Sequence, residues 1–167
     1  MTLNSIKGYW NSECLFDFSD DDMYEGKFLV EDDGWLEGIV TFSDGADKFI
    51  FGTYCPGESV RLFYISSDYV NHPVMFYGTN DVESYDGKLE MIDGSEFVHC
   101  GVSHVLVSNL ENIDRVDIEK NRLLFRVQNF KNSVMNMSDG LVYAGVKQSC
   151  RSEAKSNSPK QYVKVFE

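Results

Sequence analysis

The chain has 167 residues, of which 43% are hydrophobic and 14% aromatic, and its formal net charge is −12. This length fits one domain over residues 1–167 with a sizeable core of its own. The acidic balance argues against direct binding to nucleic acid, which needs clustered lysine and arginine. No apolar run reaches the roughly 18 residues that a membrane-spanning helix needs, so we expect no membrane association.

The negative charge is concentrated in the first part of the chain. Residues 1–100 hold 20 Asp and Glu against 5 Lys and Arg, whereas residues 101–167 hold 7 acids against 10 bases. An acidic surface keeps a β-protein soluble, and it would also attract a basic protein partner.

The four cysteines are Cys14, Cys55, Cys100 and Cys150, with no Cys-x-x-Cys pair among them. The first residues carry no charged stretch followed by an apolar core, so the sequence indicates no signal peptide. A cytoplasmic protein with reduced thiols is the expectation. Two disulfides are the alternative that an even count leaves open.

The first predicted strand runs from Ile6 to Phe18. Its even positions are mostly apolar or small, and its odd positions are mostly polar, which is the period-two pattern of a strand with one buried face. The even positions assigned to the core are Trp10, Ser12, Cys14, Phe16 and Phe18.

A β-hairpin is predicted around Asp32-Asp33-Gly34. Gly34 can take the left-handed backbone conformation that closes a three-residue loop. In that register Val30 faces Leu36, Phe28 faces Gly38 and Gly26 faces Val40. A four-residue loop would mix the polar and apolar faces, which a buried face penalises.

A second hairpin is predicted from Lys48–Tyr54 and Ser59–Ser66, with Cys55-Pro56-Gly57-Glu58 as its loop. Both strands are apolar at nearly every residue, so both of their faces should be covered. A helix, a loop or a second subunit would each provide that cover.

The remaining elements follow in chain order. Val74–Gly78 turns at Thr79-Asn80-Asp81 into a segment ending at Lys88–Ile92, with a further turn or bulge at Asp86-Gly87. Phe97–Val107 reads as a long strand that bends at Gly101. Asn109–Asn121 has a helical spacing that also fits one turn or a loop. The last predicted elements are strands at Leu123–Phe130, Leu141–Lys147 and Tyr162–Phe166, with a mobile polar loop over residues 148–160.

Nine or ten strands joined by short turns predict an all-β protein, either an antiparallel up-and-down barrel of about 8–10 strands or a β-sandwich. The C-terminal strand is expected to pair with strand one. Gly8-x-Trp10 at the start of the first strand resembles the calycin group of lipocalins, fatty-acid-binding proteins and avidins. This resemblance implies a barrel in which Trp10 plugs one end. It also implies an arginine over that tryptophan, for which the sequence offers only Arg151, and the lipocalin Thr-Asp-Tyr motif is missing.

Candidate catalytic and metal-binding groups are few. His99, Cys100 and His104 could bind zinc or form a nucleophile–base pair, but on a strand His99 and Cys100 point to opposite faces. Cys100 and His104 would lie about 13 Å apart unless the chain bends at Gly101. The acidic runs Asp20-Asp21-Asp22 and Asp32-Asp33 lack the spacing of a calcium loop. Glu37 is an unassigned carboxylate, and no cofactor motif is present.

The sequence therefore favours a ligand-binding protein, and an enzyme whose catalytic residues carry no recognisable motif stays open as a further alternative. An aromatic inner face either fills the barrel or lines a cavity for one small apolar ligand, with Gly38 and Gly52 as the positions that leave room. A module that docks a basic protein through its acidic surface is the alternative. The protein is expected to be a monomer or a homodimer without a metal or cofactor. The predicted ligand-binding residues are Trp10, Phe16, Phe28, Leu36, Phe49, Phe51 and Tyr64.

Overall fold

The structure is a computed structural model, and it describes residues 1–12, 22–65, 73–80, 82–93, 96–110, 113–134 and 143–148. Eight antiparallel strands form one closed barrel in which the spatial order of the strands follows the chain. A helix follows the last strand, and residues 143–148 are also helical. The elements are β1 Thr2–Ser12, β2 Asp22–Val30, β3 Trp35–Phe42, β4 Asp47–Cys55, β5 Ser59–Ile65, β6 Val74–Asn80, β7 Ser84–Asp93, β8 Glu96–Asn109 and α1 Ile113–Val134.

The first predicted hairpin has the register expected from the sequence. Val30 pairs with Leu36 and Phe28 pairs with Gly38. Gly34 has a φ of +87°, which is the left-handed conformation that the three-residue loop requires. The prediction is confirmed because the loop length fixes the register, and the register fixes which side chains point into the barrel.

The predicted antiparallel up-and-down barrel of about 8–10 strands is confirmed, with eight strands, one or two fewer than the segments counted in the sequence. The closing strand differs from the prediction. β1 pairs with β2 on one side and with β8 on the other, so it is β8 that closes the sheet. Tyr162–Phe166 lies outside the described residues. The predicted turn at Asp86-Gly87 is wrong, since both residues lie within β7, where Gly87 pairs with Gly78.

β8 carries an irregularity where the sequence predicted a bend. The register against β7 shifts between Leu89 and Glu90, which leaves Cys100 as the extra residue beside Gly101. Cys100 is consequently buried in the interior while His99 is exposed. Cys100 is disulfide-bonded, in contrast to the expectation of reduced thiols, whereas Cys55 forms no disulfide. Spacing in the sequence carries no information on which cysteines approach one another.

Two predicted strands are helical instead. Leu123–Phe130 belongs to α1, and the described part of Leu141–Lys147 lies in the helical segment 143–148. The alternation of Leu123, Phe125 and Val127 suggested a strand, but Phe125 is 67% exposed while the other two are buried. A helix separates these side chains because its period is 3.6 residues, so Leu123 and Val127 share a face that excludes Phe125.

These helices cover one side of the barrel. The outward-facing apolar residues of β3, β4 and β5 form a second buried cluster with Leu123 and Val127 of α1 and with Tyr143 and Val146. The ring of Phe130 stacks on an outward-facing phenylalanine of β4 at 5.1 Å between ring centroids. The prediction that both faces of the second hairpin are covered is therefore confirmed, and helices provide the cover.

Glu37 joins the helical layer to the barrel. Its carboxylate lies 2.9 Å from the Lys131 ammonium and accepts hydrogen bonds from Trp35 Nε1 at 3.0 Å and from the Tyr143 hydroxyl. Burial acts to raise the pKa of Glu37. The hydrogen bonds from Lys131, Tyr143 and Trp35 outweigh burial, so the pKa of this carboxyl lies below its ordinary value of 4.5. Glu37 is thus a charged anchor of the helices.

Candidate functional site

Four of the seven predicted ligand-binding residues point into the barrel. Trp10, Phe28, Leu36 and Tyr64 belong to the interior cluster and are almost fully buried. Phe49 and Phe51 point outward instead and pack beneath the helices. The assignment of these two rings to the inner face was wrong, because in β4 Ile50, which pairs with Gly38, occupies the interior. Phe16 lies outside the described residues.

The interior is filled by side chains in its middle. Phe28, Leu36, Leu62 and Phe76 are completely buried there. Gly38 and Gly52 do not leave room for a ligand, contrary to the prediction. A Cβ at Gly38 would overlap the Lys27 carbonyl oxygen and Phe28, and a Cβ at Gly52 would overlap the backbone of β5. These glycines let neighbouring strands approach closely rather than enlarge the interior.

One end of the barrel is closed by aromatic rings, and we call it the tryptophan end. Trp10 packs against Phe42 at 5.0 Å and Tyr64 at 6.2 Å between ring centroids. The Lys48 ammonium lies over the Trp10 ring at 4.4 Å and over the Phe42 ring at 4.0 Å. Lysine therefore occupies the place that the resemblance assigned to an arginine, and Arg151 lies outside the described residues.

A hydrogen-bonded group of hydroxyls completes the tryptophan end. Tyr64 donates to the Tyr24 hydroxyl at 3.3 Å, and the Tyr24 and Ser103 hydroxyls lie 2.9 Å apart. Ser103 in turn donates to the Tyr9 carbonyl oxygen at 2.8 Å. Burial raises the pKa of Tyr24 to about 12 and that of Tyr64 well above its ordinary value. These hydroxyls are neutral and mutually satisfied, so this end offers little to a ligand.

The opposite end has a different chemical character, and we call it the hairpin end because the β2–β3 and β4–β5 hairpins turn there. A depression of about 500 Å³ lies between those two hairpins. Val30 and Tyr54 connect the depression to the barrel interior. Its described lining includes four carboxylates and no lysine or arginine side chain, the acids being Glu31, Asp32, Asp33 and Glu58. The N-terminal ammonium lies 3.6 Å from Asp32.

Two asparagines with buried amide atoms lie at inward-facing positions near this end. Asn4 is 1% exposed, and its Oδ1 atom has no hydrogen-bond partner among the described residues. Asn80 buries both its Oδ1 and its Nδ2 atom, and neither has a partner in the described part of the chain. A buried polar atom that lacks a hydrogen bond costs roughly 1–3 kcal/mol, so such atoms call for an explanation.

Tyr54 lines the depression, and its ring lies near the two residues that pair with the asparagines. Asn80 pairs with Tyr85, whose ring lies 6.1 Å from that of Tyr54. Asn4 pairs with Phe28, whose ring lies 5.7 Å from that of Tyr54 on the other side. Burial, followed by the neighbouring Tyr85 hydroxyl and the Glu83 carboxylate, raises the pKa of Tyr54 well above its ordinary value. The Tyr54 hydroxyl therefore stays protonated and can donate a hydrogen bond.

The hairpin end thus combines an open depression, neutral hydroxyls and unpaired amide atoms, which can bind a small polar molecule. The sequence analysis missed Asn4 and Asn80. Both occupy inward-facing positions of their strands, as the pairing of Asn4 with Phe28 shows. The signal was an asparagine at a period-two position whose neighbours are apolar. These asparagines could be recognised as inward-facing only once the register of β1 and β6 was known.

The histidine and cysteine candidates do not meet at one site. Cys100 points into the barrel, whereas His104 points outward, because the irregularity at Cys100 reverses the alternation. The expectation that these two residues share a face was wrong. No group of three or more His, Cys, Asp or Glu side chains within the described ranges is arranged to hold a metal ion. Asp20 and Asp21 lie outside those ranges.

No protein-family model matches the chain, and no curated protein matches it. Solved structures similar to it include EF1p2_mFAP2b bound to DFHBI, at 11% identity and a TM-score of 0.42, covering 64% of this chain and 91% of that one. A redesigned beta barrel, mFAP1, bound to DFHBI, is similar at 14% identity and a TM-score of 0.41, covering 61% of this chain and 90% of that one. None of the helices in the described ranges is long and apolar enough to cross a membrane.

Proposed function

We propose that this barrel binds one small ligand at its hairpin end. The single observation that supports the proposal is the presence of buried amide atoms of Asn4 and Asn80 without hydrogen-bond partners in the described chain. Tyr54, which lines the open depression and belongs to the interior cluster, would be among the first interior side chains that the ligand meets. Of the predicted ligand-binding residues, Phe28 and Leu36 lie toward this end and would contact the apolar part of the ligand.

The surroundings indicate the chemistry of the ligand. Asn4 offers an acceptor, Asn80 offers both a donor and an acceptor, and Tyr54 offers a donor. The depression outside them is lined by acids, with no lysine or arginine among its described lining residues. A compact molecule with amide-like hydrogen-bonding groups and a positive charge fits this arrangement better than the purely apolar ligand expected from the sequence. The carboxylates would attract the cationic part, and the buried amides would select its orientation.

The cost of burying unpaired amide atoms favours a protein that binds a specific ligand over one whose interior binds none. Burying an unsatisfied amide destabilises the folded state by about 1–3 kcal/mol per atom, and another favourable interaction must offset this loss. Ligand binding offsets this loss when the ligand supplies the missing hydrogen bonds. The same atoms then discriminate against analogues that lack the matching groups, because those analogues leave the amides unpaired.

Native mass spectrometry of the purified full-length protein tests this proposal. We expect a small mass that stays bound under native conditions and leaves on denaturation, and we expect Asn80→Leu to lose it. Asn109→Leu is the matched control, because Asn109 is an exposed asparagine near the same end. An Asn80→Leu protein that retains the same ligand as the wild type would refute the site. The prediction of a basic protein partner stays untested.

A further inference from the structure

On the outer face of the barrel, away from the helices, three polar side chains form a continuous hydrogen-bonded row. His104 Nδ1 lies 2.6 Å from Asp86 Oδ1, and Ser84 Oγ lies 3.4 Å from His104 Nε2. This is the order of nucleophile, base and carboxylate found in acyl-transfer sites. None of the three belongs to the hairpin-end site.

The register of the sheet produces this row. Ser84 and Asp86 are two positions apart on β7, so they point to the same face about 7 Å from each other. His104 on β8 pairs directly with Asp86. The imidazole lies between the hydroxyl and the carboxylate, and two rigid strands hold all three residues. Positions fixed by a sheet are better defined than positions on a loop.

The positions of the two partners suit one tautomer of the imidazole. When Nδ1–H donates to the Asp86 carboxylate, the lone pair of Nε2 faces Ser84 and can accept the hydroxyl proton. The side chain of Asp86 is 83% exposed and that of His104 is 37% exposed. Asp86 is therefore a positioning residue in water rather than a buried charge, and we expect a modest effect from it.

The backbone just before Ser84 is strained. Val82 has a φ of +82° and Glu83 a φ of +60°, in the left-handed region that residues with a Cβ rarely occupy. The Glu83 carbonyl oxygen accepts a hydrogen bond from the Val107 N–H at 2.9 Å, which holds this turn against β8. Strain of this kind concentrates at sites that must present a side chain in a defined place.

The surface around the row can accommodate a small ester. A depression of about 340 Å³ beside His104 is lined by Tyr9, Lys88 and Val102, among others. Leu106, the β8 neighbour of Ser84, is exposed on the other side. A general acid must lie beside the leaving group. The leaving alcohol would thus occupy the depression on the His104 side, and the acyl group would lie over Leu106.

We propose that Ser84, His104 and Asp86 form an acyl-accepting site for small esters on the outer face of β7 and β8. Ser84 Oγ bonds to the ester carbonyl carbon while its proton passes to His104 Nε2. The bond from that carbon to the alkoxy oxygen breaks, and the alcohol leaves with the proton from Nε2. In the second half, the oxygen of a water molecule bonds to the acyl carbon while Nε2 takes one of its protons. The bond from that carbon to Ser84 Oγ then breaks, the acid leaves, and Oγ regains its proton from Nε2.

A fluorophosphonate probe tests the site without knowledge of the natural ester. In this reaction Ser84 Oγ bonds to phosphorus, fluoride leaves, and His104 takes the proton. We expect one adduct per chain, mapped to Ser84 by tandem mass spectrometry of the full-length protein. Ser84→Ala should abolish it, and His104→Asn should slow labelling by about 100-fold or more. Ser5→Ala is the matched control, because the Ser5 hydroxyl donates to the Ser108 carbonyl oxygen instead of an imidazole.

Asp86 requires a measurement that distinguishes orientation of the imidazole from general stability. Nitrogen NMR of His104 should show the Nδ1–H tautomer in the wild type and a loss of that preference in Asp86→Asn, together with a smaller decrease in labelling than His104→Asn gives. Labelling that maps to another residue, or that proceeds equally fast in His104→Asn, would overturn the proposal. So would an unchanged tautomer in Asp86→Asn.

Discussion

Replacing Asn80 by leucine should make the protein more stable, which is the opposite of what most substitutions in a core do. The two side chains have the same number of heavy atoms and the same branching, so the replacement leaves no void, and its two methyl groups need only the space between them and the neighbouring side chains to adjust. It removes one donor atom and one acceptor atom, both buried without a hydrogen-bond partner in the described part of the chain. It puts two apolar carbons in their place.

The expected magnitude follows from these two atoms. A buried polar atom without a partner costs about 1–3 kcal/mol, and removing both partners of a polar contact in favour of apolar groups is neutral or stabilising. We expect Asn80→Leu to raise the free energy of unfolding by about 1–3 kcal/mol, because local relaxation recovers part of the cost. For a chain of this size each kcal/mol raises Tm by about 2–4 °C.

Urea denaturation at neutral pH, of protein freed from any co-purified ligand by unfolding, dialysis and refolding, provides the measurement, and calorimetry of the same sample provides the Tm. Asn109→Leu controls for the substitution itself, since an exposed asparagine should change stability by less than about 0.5 kcal/mol. A loss of more than about 1 kcal/mol in Asn80→Leu would mean that the amide is satisfied in the folded protein. That result would remove the main support for the ligand site.

The helical layer yields two further predictions. Val127→Ala should lower the free energy of unfolding by about 2–3 kcal/mol in urea denaturation, because it deletes buried methyl groups. Phe125→Ala should change the free energy of unfolding by less than about 0.5 kcal/mol. Similar losses in both variants would indicate a strand. Glu37→Gln should cost about 1–3 kcal/mol at pH 7. Folding lowers the pKa of Glu37, so the contribution of its charged form to the free energy of unfolding is complete above the unfolded pKa of 4.5 and is lost as the pH falls through the folded pKa. The stability difference between wild type and Glu37→Gln should therefore shrink in acid. A pH-independent difference would contradict the ion pair with Lys131.

The sequence predicted those parts of the fold that depend on local geometry. The register around Gly34 followed from one loop length and one residue that tolerates positive φ, and the structure has that register. The cover over the second hairpin followed from strands without a polar face. Both inferences use neighbours in the sequence, so no knowledge of the closed barrel was needed.

The errors came from patterns that fit two periods or depend on distant contacts. Leu123, Phe125 and Val127 have period-two spacing with Arg122, Arg126 and Gln128 beside them, yet only a helix leaves Phe125 exposed and buries the other two. Phe49 and Phe51 belong to a strand that is apolar on both faces, so alternation alone did not decide which face is the interior. The row of Ser84, Asp86 and His104 requires the pairing of β7 with β8, which sequence spacing does not give.

The arrangement of the barrel explains why binding is placed at the hairpin end and reactivity on the outer face of β7 and β8. The tryptophan end uses its polar groups internally, since Tyr24, Tyr64 and Ser103 satisfy one another and Lys48 lies over rings. The outer faces of β3, β4 and β5 are covered by the helices. Among the described residues, the hairpin end and the outer face of β7 and β8 are two accessible places with hydrogen-bonding groups of this kind. The two proposals have separate readouts, a retained small mass for Asn80→Leu and a fluorophosphonate adduct for Ser84→Ala. Because Asn80 pairs with Tyr85, the residue that follows Ser84, each variant is also to be tested in the other's assay.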